Sequence, residues 1–100
     1  MKTVAILATL DTKADEAGFM RSEIESLGGQ ALLIDLSLVG ESHLSADVTK
    51  QDVISAGGGN LADLLVKPNR EESNPFIVAG ATKIVKELQD SGKIDAVVSL

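Results

Sequence analysis

The sequence predicts an α/β fold in which a parallel sheet is covered by helices on both faces. Three observations carry this. The aliphatic runs Thr3–Ala8, Ala31–Leu36 and Ile94–Leu100 have the apolar character of strands buried on two sides. Stretches with helical periodicity separate them. The core must also be aliphatic, because 44% of the 100 residues are apolar and only two are aromatic.

The first run leads directly into Thr9-Leu10-Asp11-Thr12-Lys13 and then an amphipathic helix. That helix is expected to begin near Thr12, where Thr12 and Asp15 have the form of a capping box with Asp in place of Glu. Ala17, Met20, Ile24 and Leu27 recur at spacings of three and four and make one apolar stripe. Gly28-Gly29 supplies the stop. The second strand, Ala31–Leu36, follows at once and completes a β-α-β unit with a right-handed crossover and parallel strands.

Ser37 to Ala46 reads as irregular chain. Thr49 is expected to cap a short helix, with Asp52 at its third position and Val48 and Val53 at the two staple positions. The Gly57-Gly58-Gly59 run follows this helix and no strand, so it reads as a helix stop in preference to a phosphate cradle. Asn60 then caps a brief turn carrying Leu61, Leu64 and Leu65. The polar stretch Lys67 to Ser73, with Pro68, reads as an exposed loop.

Asn74 is expected to cap a long helix with Pro75 at the first helical position. Ile77, Ala81, Ile84 and Leu88 form its core face, widened by Val78 and Val85. Gly92 closes it, and the third strand runs from Ile94 to Leu100. Three strands make a small sheet for this much apolar helix. Residues 1–100 are therefore expected to be the N-terminal part of a larger α/β domain.

Composition narrows the partners. A net charge of −6 and the lack of a basic stripe interleaved with aromatics argue against nucleic-acid binding. The absence of cysteine excludes disulfides and Cys-ligated zinc. The N-terminal apolar run is cut by Asp11 and Lys13, too short for a membrane span, and carries no signal-peptide pattern. A cytoplasmic protein without a membrane partner is the default expectation. His43 stands alone in a polar segment and reads as an exposed loop residue. No nucleophile or general base can be identified, so residues 1–100 are not expected to catalyse a reaction by themselves.

The first strand–turn–helix junction is the leading functional candidate. Open α/β sheets place ligands at the carboxyl ends of their strands, where helix amides favour anions. There Thr9 and Thr12 offer hydroxyls to phosphate oxygens and Lys13 offers charge. Asp11 suits a ribose hydroxyl or a magnesium ion. The competing reading is structural: Asp11 or Thr12 caps the helix, Asp15 and Glu16 already satisfy the dipole, and Lys13 is solvated. Asp35, at the end of the second strand, stands where a dinucleotide fold holds ribose. Without a glycine fingerprint it reads better as an acceptor for backbone amides that orders the following loop. Neither G-x-G-x-x-G nor G-x-x-x-x-G-K-[ST] occurs.

The run Ala5-Ile6-Leu7-Ala8-Thr9-Leu10-Asp11-Thr12-Lys13, followed by Asp15-Glu16 and by Leu33-Ile34-Asp35-Leu36-Ser37, resembles a known family. This is the uncharacterised family related to the tomato mosaic virus resistance protein. The likeness continues through Ala46-Asp47-Val48, the long helix and Ile94–Leu100, with the Thr-x-Asp-Thr-Lys turn as its most specific piece. The resemblance implies a Rossmann-like three-layer N-terminal domain that binds ATP, joined in most microbial members to a C-terminal barrel in which any enzymatic activity would reside. The antiviral role of the plant member does not carry over.

Family members also bear a Gly-Gly-Ser-Gly-Gly-Thr loop directly after the strand matching Ile94–Leu100, so the resemblance implies that half of the nucleotide site lies beyond Leu100. If the third strand pairs on the far side of the first from the second, the order is 2-1-3 and the switch point lies between strands one and three. The resemblance carries Thr9, Asp11, Thr12, Lys13 and Asp35 as nucleotide contacts, with ATP, alone or with magnesium, as the ligand. The alternative is a protein-interaction or homo-oligomerisation module in which the Thr9–Lys13 turn is only structural, since the edge of an incomplete sheet invites pairing with another chain.

Overall fold

A computed structural model describes residues 2–100. The elements run β1 (Thr3–Ala8), α1 (Leu10–Ser26), β2 (Gln30–Asp35), α2 (Lys50–Ala56), α3 (Leu61–Val66), α4 (Arg70–Asp90) and β3 (Ala96–Ser99). The sheet has the order β2-β1-β3, as the sequence predicts, with both pairings parallel. Ile6 sits at the centre of the register, opposite Leu33 on one side and Val98 on the other.

Alternation along the strands divides the core into two layers. Ile6, Ala8 and Leu33 pack with Leu10 and Ala17 of α1. Ala5 and Ile34 face the opposite way, onto Val53 and Ile54 of α2 and Ile77 and Ala81 of α4. Helices thus cover both faces of an aliphatic sheet, the α/β arrangement the composition calls for. Among the described residues, no helix is long and apolar enough to cross a membrane.

Several boundaries fall elsewhere than the sequence suggests. Helix α1 begins at Leu10, with Thr9 at the cap position and no side-chain cap bond. Thr12 therefore lies inside the first turn and caps nothing. β1 ends at Ala8 as expected, and the Leu10 amide finds an acceptor in Asp35, so no capping box is needed. Leu27, expected on the buried stripe, is 87% exposed because the helix has already ended at Ser26. Gly28 takes a φ of 86° and turns the chain into β2.

The larger difference concerns α4, which starts at Arg70 and absorbs most of the expected loop. Asn69 is its cap, and its Oδ1 accepts from the amides of Glu71 at 2.9 Å and Glu72 at 3.4 Å. Ser73, fully buried, donates its hydroxyl to the Asn69 carbonyl at 2.8 Å. Pro75 lies within the helix and Asn74 is not a cap. Val78 is 64% exposed, so it does not widen the core face. Thr49 and Asp52 form the expected capping box of α2, and Asn60 caps α3 through the Asp63 amide.

The two sheet edges differ. At β2, the Leu33 amide donates to Asp47 Oδ2 at 2.8 Å, and Val48 bridges Ile34 in parallel. Asp47 and Val48 so cover this edge. At β3, no strand among the described residues pairs on the outer side, and Val97 is 45% exposed.

Candidate functional site

The β1–α1 junction owes its shape to one carbonyl. The amides of Thr12 and Lys13 both donate to the Thr9 carbonyl, at 3.0 and 2.8 Å, closing a tight first turn. Lys13 then departs from helical geometry (φ −116°, ψ 20°), which sets this turn off from the body of α1. Within the turn the Thr9 and Thr12 hydroxyl oxygens lie 2.8 Å apart, and Thr12 Oγ1 lies 3.2 Å from the Thr9 carbonyl. One proton arrangement satisfies both contacts: Thr12 donates to the carbonyl, and Thr9 donates to Thr12. Both hydroxyl protons are thus engaged within the turn, and either hydroxyl would donate to a ligand oxygen by rotating away from its partner there.

Asp35 braces the turn from the end of β2. Its Oδ1 accepts from the Leu10 amide at 3.2 Å and the Ser37 amide at 2.9 Å. This carboxylate joins the ends of two adjacent strands and orders the loop behind them. Ser37 itself is 2% exposed, and its hydroxyl has no hydrogen-bond partner among the described residues.

An open cleft of about 460 Å³ lies beside the turn. It brings together Thr9, Asp11 and Thr12 from the junction, Leu38 and Val39 from the segment after β2, and Arg70 from the start of α4. This is the carboxyl end of the strands, where open α/β sheets bind ligands. The volume lies within the range of small-molecule sites, about 300–1,000 Å³. Gly40 packs so closely on Asp11 that a Cβ there would lie 2.8 Å from its Oδ2. Lys50 holds the same segment by donating to the Gly40 carbonyl at 2.6 Å and to Glu41 Oε1 at 3.1 Å.

Of the five residues singled out from the sequence, Thr9, Asp11 and Thr12 line this cleft. Lys13 does not. Its side chain is half exposed and lies 3.6 Å from Glu16. Asp35, whose Oδ1 holds the two backbone amides, does not line the cleft either. A smaller hollow on the other flank of Asp11 and Thr12 gathers Asp15, Glu41 and His43, with His43 Nε2 3.8 Å from Asp15 Oδ1. His43 is exposed there, as the sequence predicts. Among the described residues, no group of three or more His, Cys, Asp or Glu side chains is placed to hold a metal ion.

Sequence reasoning did not find Arg70, Leu38 or Val39. The signal for Arg70 was present: Asn69 followed by Glu72 has the spacing of a helix cap with an acid in its first turn. Leu38 and Val39 offered none, because only the path of the loop brings them to the cleft.

The residues fit a phosphate-bearing ligand in part. Two hydroxyls and a guanidinium suit anionic oxygens, and the exposed Val39, backed by the core residue Leu38, suits an apolar ring. A magnesium ion would have the single carboxylate of Asp11 and would need the ligand's own phosphates to complete its shell.

Comparison with known proteins places the chain in a family and leaves the ligand open. Residues 2–100 match the N-terminal domain of an uncharacterised protein family, UPF0261. A UPF0261 protein of Clostridium tetani is 35% identical over 99 residues, which cover 99% of this chain and 24% of that protein. UPF0261 proteins of Brucella suis and Brucella melitensis are each 30% identical over 97 residues, 97% of this chain and 23% of theirs. The chain thus spans about a quarter of the length of the curated relatives it matches. No solved structure matches it. The chain belongs to the uncharacterised family UPF0261, whose N-terminal domain it matches over nearly its whole length.

Proposed function

We propose that this chain is part of a nucleotide-binding domain and that ATP occupies the cleft beside the Thr9–Thr12 turn. The observation that carries the reading is the convergence of Thr9, Asp11, Thr12 and Arg70 on one cleft at the carboxyl end of a parallel sheet. The resemblance of the Thr9–Lys13 turn to the ATP-binding domain related to the tomato mosaic virus resistance protein supports it. Thr9 and Thr12 hydroxyls meet phosphate oxygens. Asp11 takes a ribose hydroxyl or a phosphate-bound magnesium ion, and Val39 offers an apolar surface. Asp35 holds the turn in shape from behind, and Lys13 stays at the rim. Any reaction of the whole cytoplasmic protein takes place in its remaining length, in the barrel that the resemblance implies.

A thermal-shift titration of the full-length protein with ATP, with and without magnesium, tests this. Ligand binding to the folded state alone adds about 2.7 kcal/mol at one hundred times the dissociation constant. A saturable shift supports the reading. A well-folded protein that shows none overturns it. Asp11→Asn assigns its carboxylate: a loss confined to the magnesium titration points to the metal, and a loss in both points to the ribose.

The bare edge of β3 favours a second reading, in which the sheet pairs with another copy of the chain. Val97 is 45% exposed there, beside a groove lined by Leu7, Ala81 and Val85. Such an edge is a template for strand addition. Sedimentation of the full-length protein over a hundredfold concentration range separates the two. A strict monomer sinks the assembly reading and leaves the nucleotide reading intact.

A further inference from the structure

Resting on the nucleotide reading, we infer that Arg70 is the residue that recognises the ligand's phosphate charge, a role the turn sequence by itself would give to Lys13. Among the described residues, Arg70 is the one cationic side chain that lines the cleft. Lys13 is on the same turn as Thr12 but lies 3.6 Å from Glu16 and does not line the cleft.

The guanidinium of Arg70 is held but not consumed. Its Nη1 donates to the Leu36 carbonyl at 3.3 Å, which ties the start of α4 to the end of β2. Among the described residues it has no carboxylate partner, whereas the other arginine, Arg21, lies 3.8 Å from Glu25. A guanidinium carries five N–H donors in a fixed fork, so four remain for a phosphoryl group. The backbone that presents it is firm, because Asn69 bonds the Glu71 and Glu72 amides and Ser73 bonds Asn69. The threonine hydroxyls come from one element and the guanidinium from another. A phosphate held between them would join α4 to the β1–α1 junction.

The first-turn acids set the direction of this preference. Glu71 and Glu72 occupy the amino end of α4, so the helix dipole is already answered and charge recognition falls to the side chain. Loss of the guanidinium should therefore matter most for ligands with the most phosphate charge.

The test measures dissociation constants of ATP, AMP and adenosine by calorimetry on the full-length protein and on R70Q, R70K and K13Q. The inference expects R70Q to weaken ATP about ten- to hundredfold, the scale of a charge-assisted contact. AMP should weaken less, and adenosine should be unchanged, which shows that the cleft is intact. R70K should fall between, since it keeps the charge and loses the fork. K13Q should bind ATP within about twofold of wild type, because its charge is screened at the surface. Unchanged ATP affinity in R70Q overturns the inference, and so does a K13Q loss equal to that of R70Q. A wild-type protein that binds no ATP removes the nucleotide reading itself, a failure visible before any variant is made.

Discussion

Gly57 and Gly80 approach so closely that a Cβ built on either would lie 3.0 Å from the backbone nitrogen of the other. A Cβ on Gly80 would also run into the Val53 carbonyl, and one on Gly57 into the Phe76 carbonyl. The α2–α4 contact is therefore backbone against backbone. It brings α4 down over the Ala5 and Ile34 face of the sheet and so sets where Arg70 enters the cleft.

Gly80→Ala is accordingly expected to destabilise the protein by about 1–3 kcal/mol, the scale of core overpacking. Helix propensity alone predicts the opposite sign, a gain of about 0.5–1 kcal/mol. Gly18→Ala provides the control. It lies within α1, and its Cβ would meet Leu44 Cδ1 at an ordinary 3.5 Å. Denaturant unfolding should show a loss at Gly80 and no loss at Gly18. A stabilised Gly80→Ala protein would mean that the two helices do not pack in this way.

The start of α4 offers a second discrimination. Asn69 and Asn74 both precede plausible helix starts, but only Asn69 bonds first-turn amides. Asn69→Ala should cost about 1 kcal/mol, a typical loss for a cap, while Asn74→Ala should be close to neutral. Equal losses would place the helix start at neither residue alone.

These two features also mark how much was legible beforehand. The strands were readable because aliphatic runs of this length announce themselves, and the 2-1-3 order followed from placing β3 beyond β1. The α2 cap was readable because Thr49 and Asp52 carry a local signal. The α4 start was ambiguous because two Asn residues compete, and a proline at a first helical position is a strong but local cue. Pro75 is accommodated inside the helix, an outcome that depends on tertiary contacts such as the burial of Ser73. In the same way, the turn gave Thr9, Asp11 and Thr12 to the cleft. Arg70, 58 residues beyond Thr12 in the numbering, joins them only through the fold.

Asp35 allows stability and binding to be separated. Asp35→Ala leaves the amides of Leu10 and Ser37 without their acceptor, a loss of about 1–3 kcal/mol. Asp35→Asn keeps an acceptor oxygen and should lose less. If Asp35 only shapes the turn, ATP affinity of Asp35→Asn, measured where the protein is fully folded, stays within about twofold of wild type. A large loss of affinity with unchanged stability would instead place this carboxylate on the ligand.

The Thr12 hydroxyl carries the most direct prediction for the cleft. It lies in a first turn already closed by two backbone bonds to the Thr9 carbonyl, so the turn does not depend on it. Its own contacts, to Thr9 Oγ1 and the Thr9 carbonyl, are exposed and should add little to stability. Thr12→Val keeps the shape and removes the donor; Thr12→Ser keeps the donor. One hydrogen bond to a ligand oxygen is worth about 0.5–1.5 kcal/mol, so Thr12→Val should weaken ATP by roughly two- to tenfold while melting within a degree or two of wild type. Thr12→Ser should bind ATP nearly as wild type does. If both variants bind ATP as wild type does, Thr12 is a helix residue and nothing more. If Thr12→Val instead loses stability and affinity together, the Thr9–Thr12 hydroxyl pair supports the turn and the ligand contact falls to Thr9 alone.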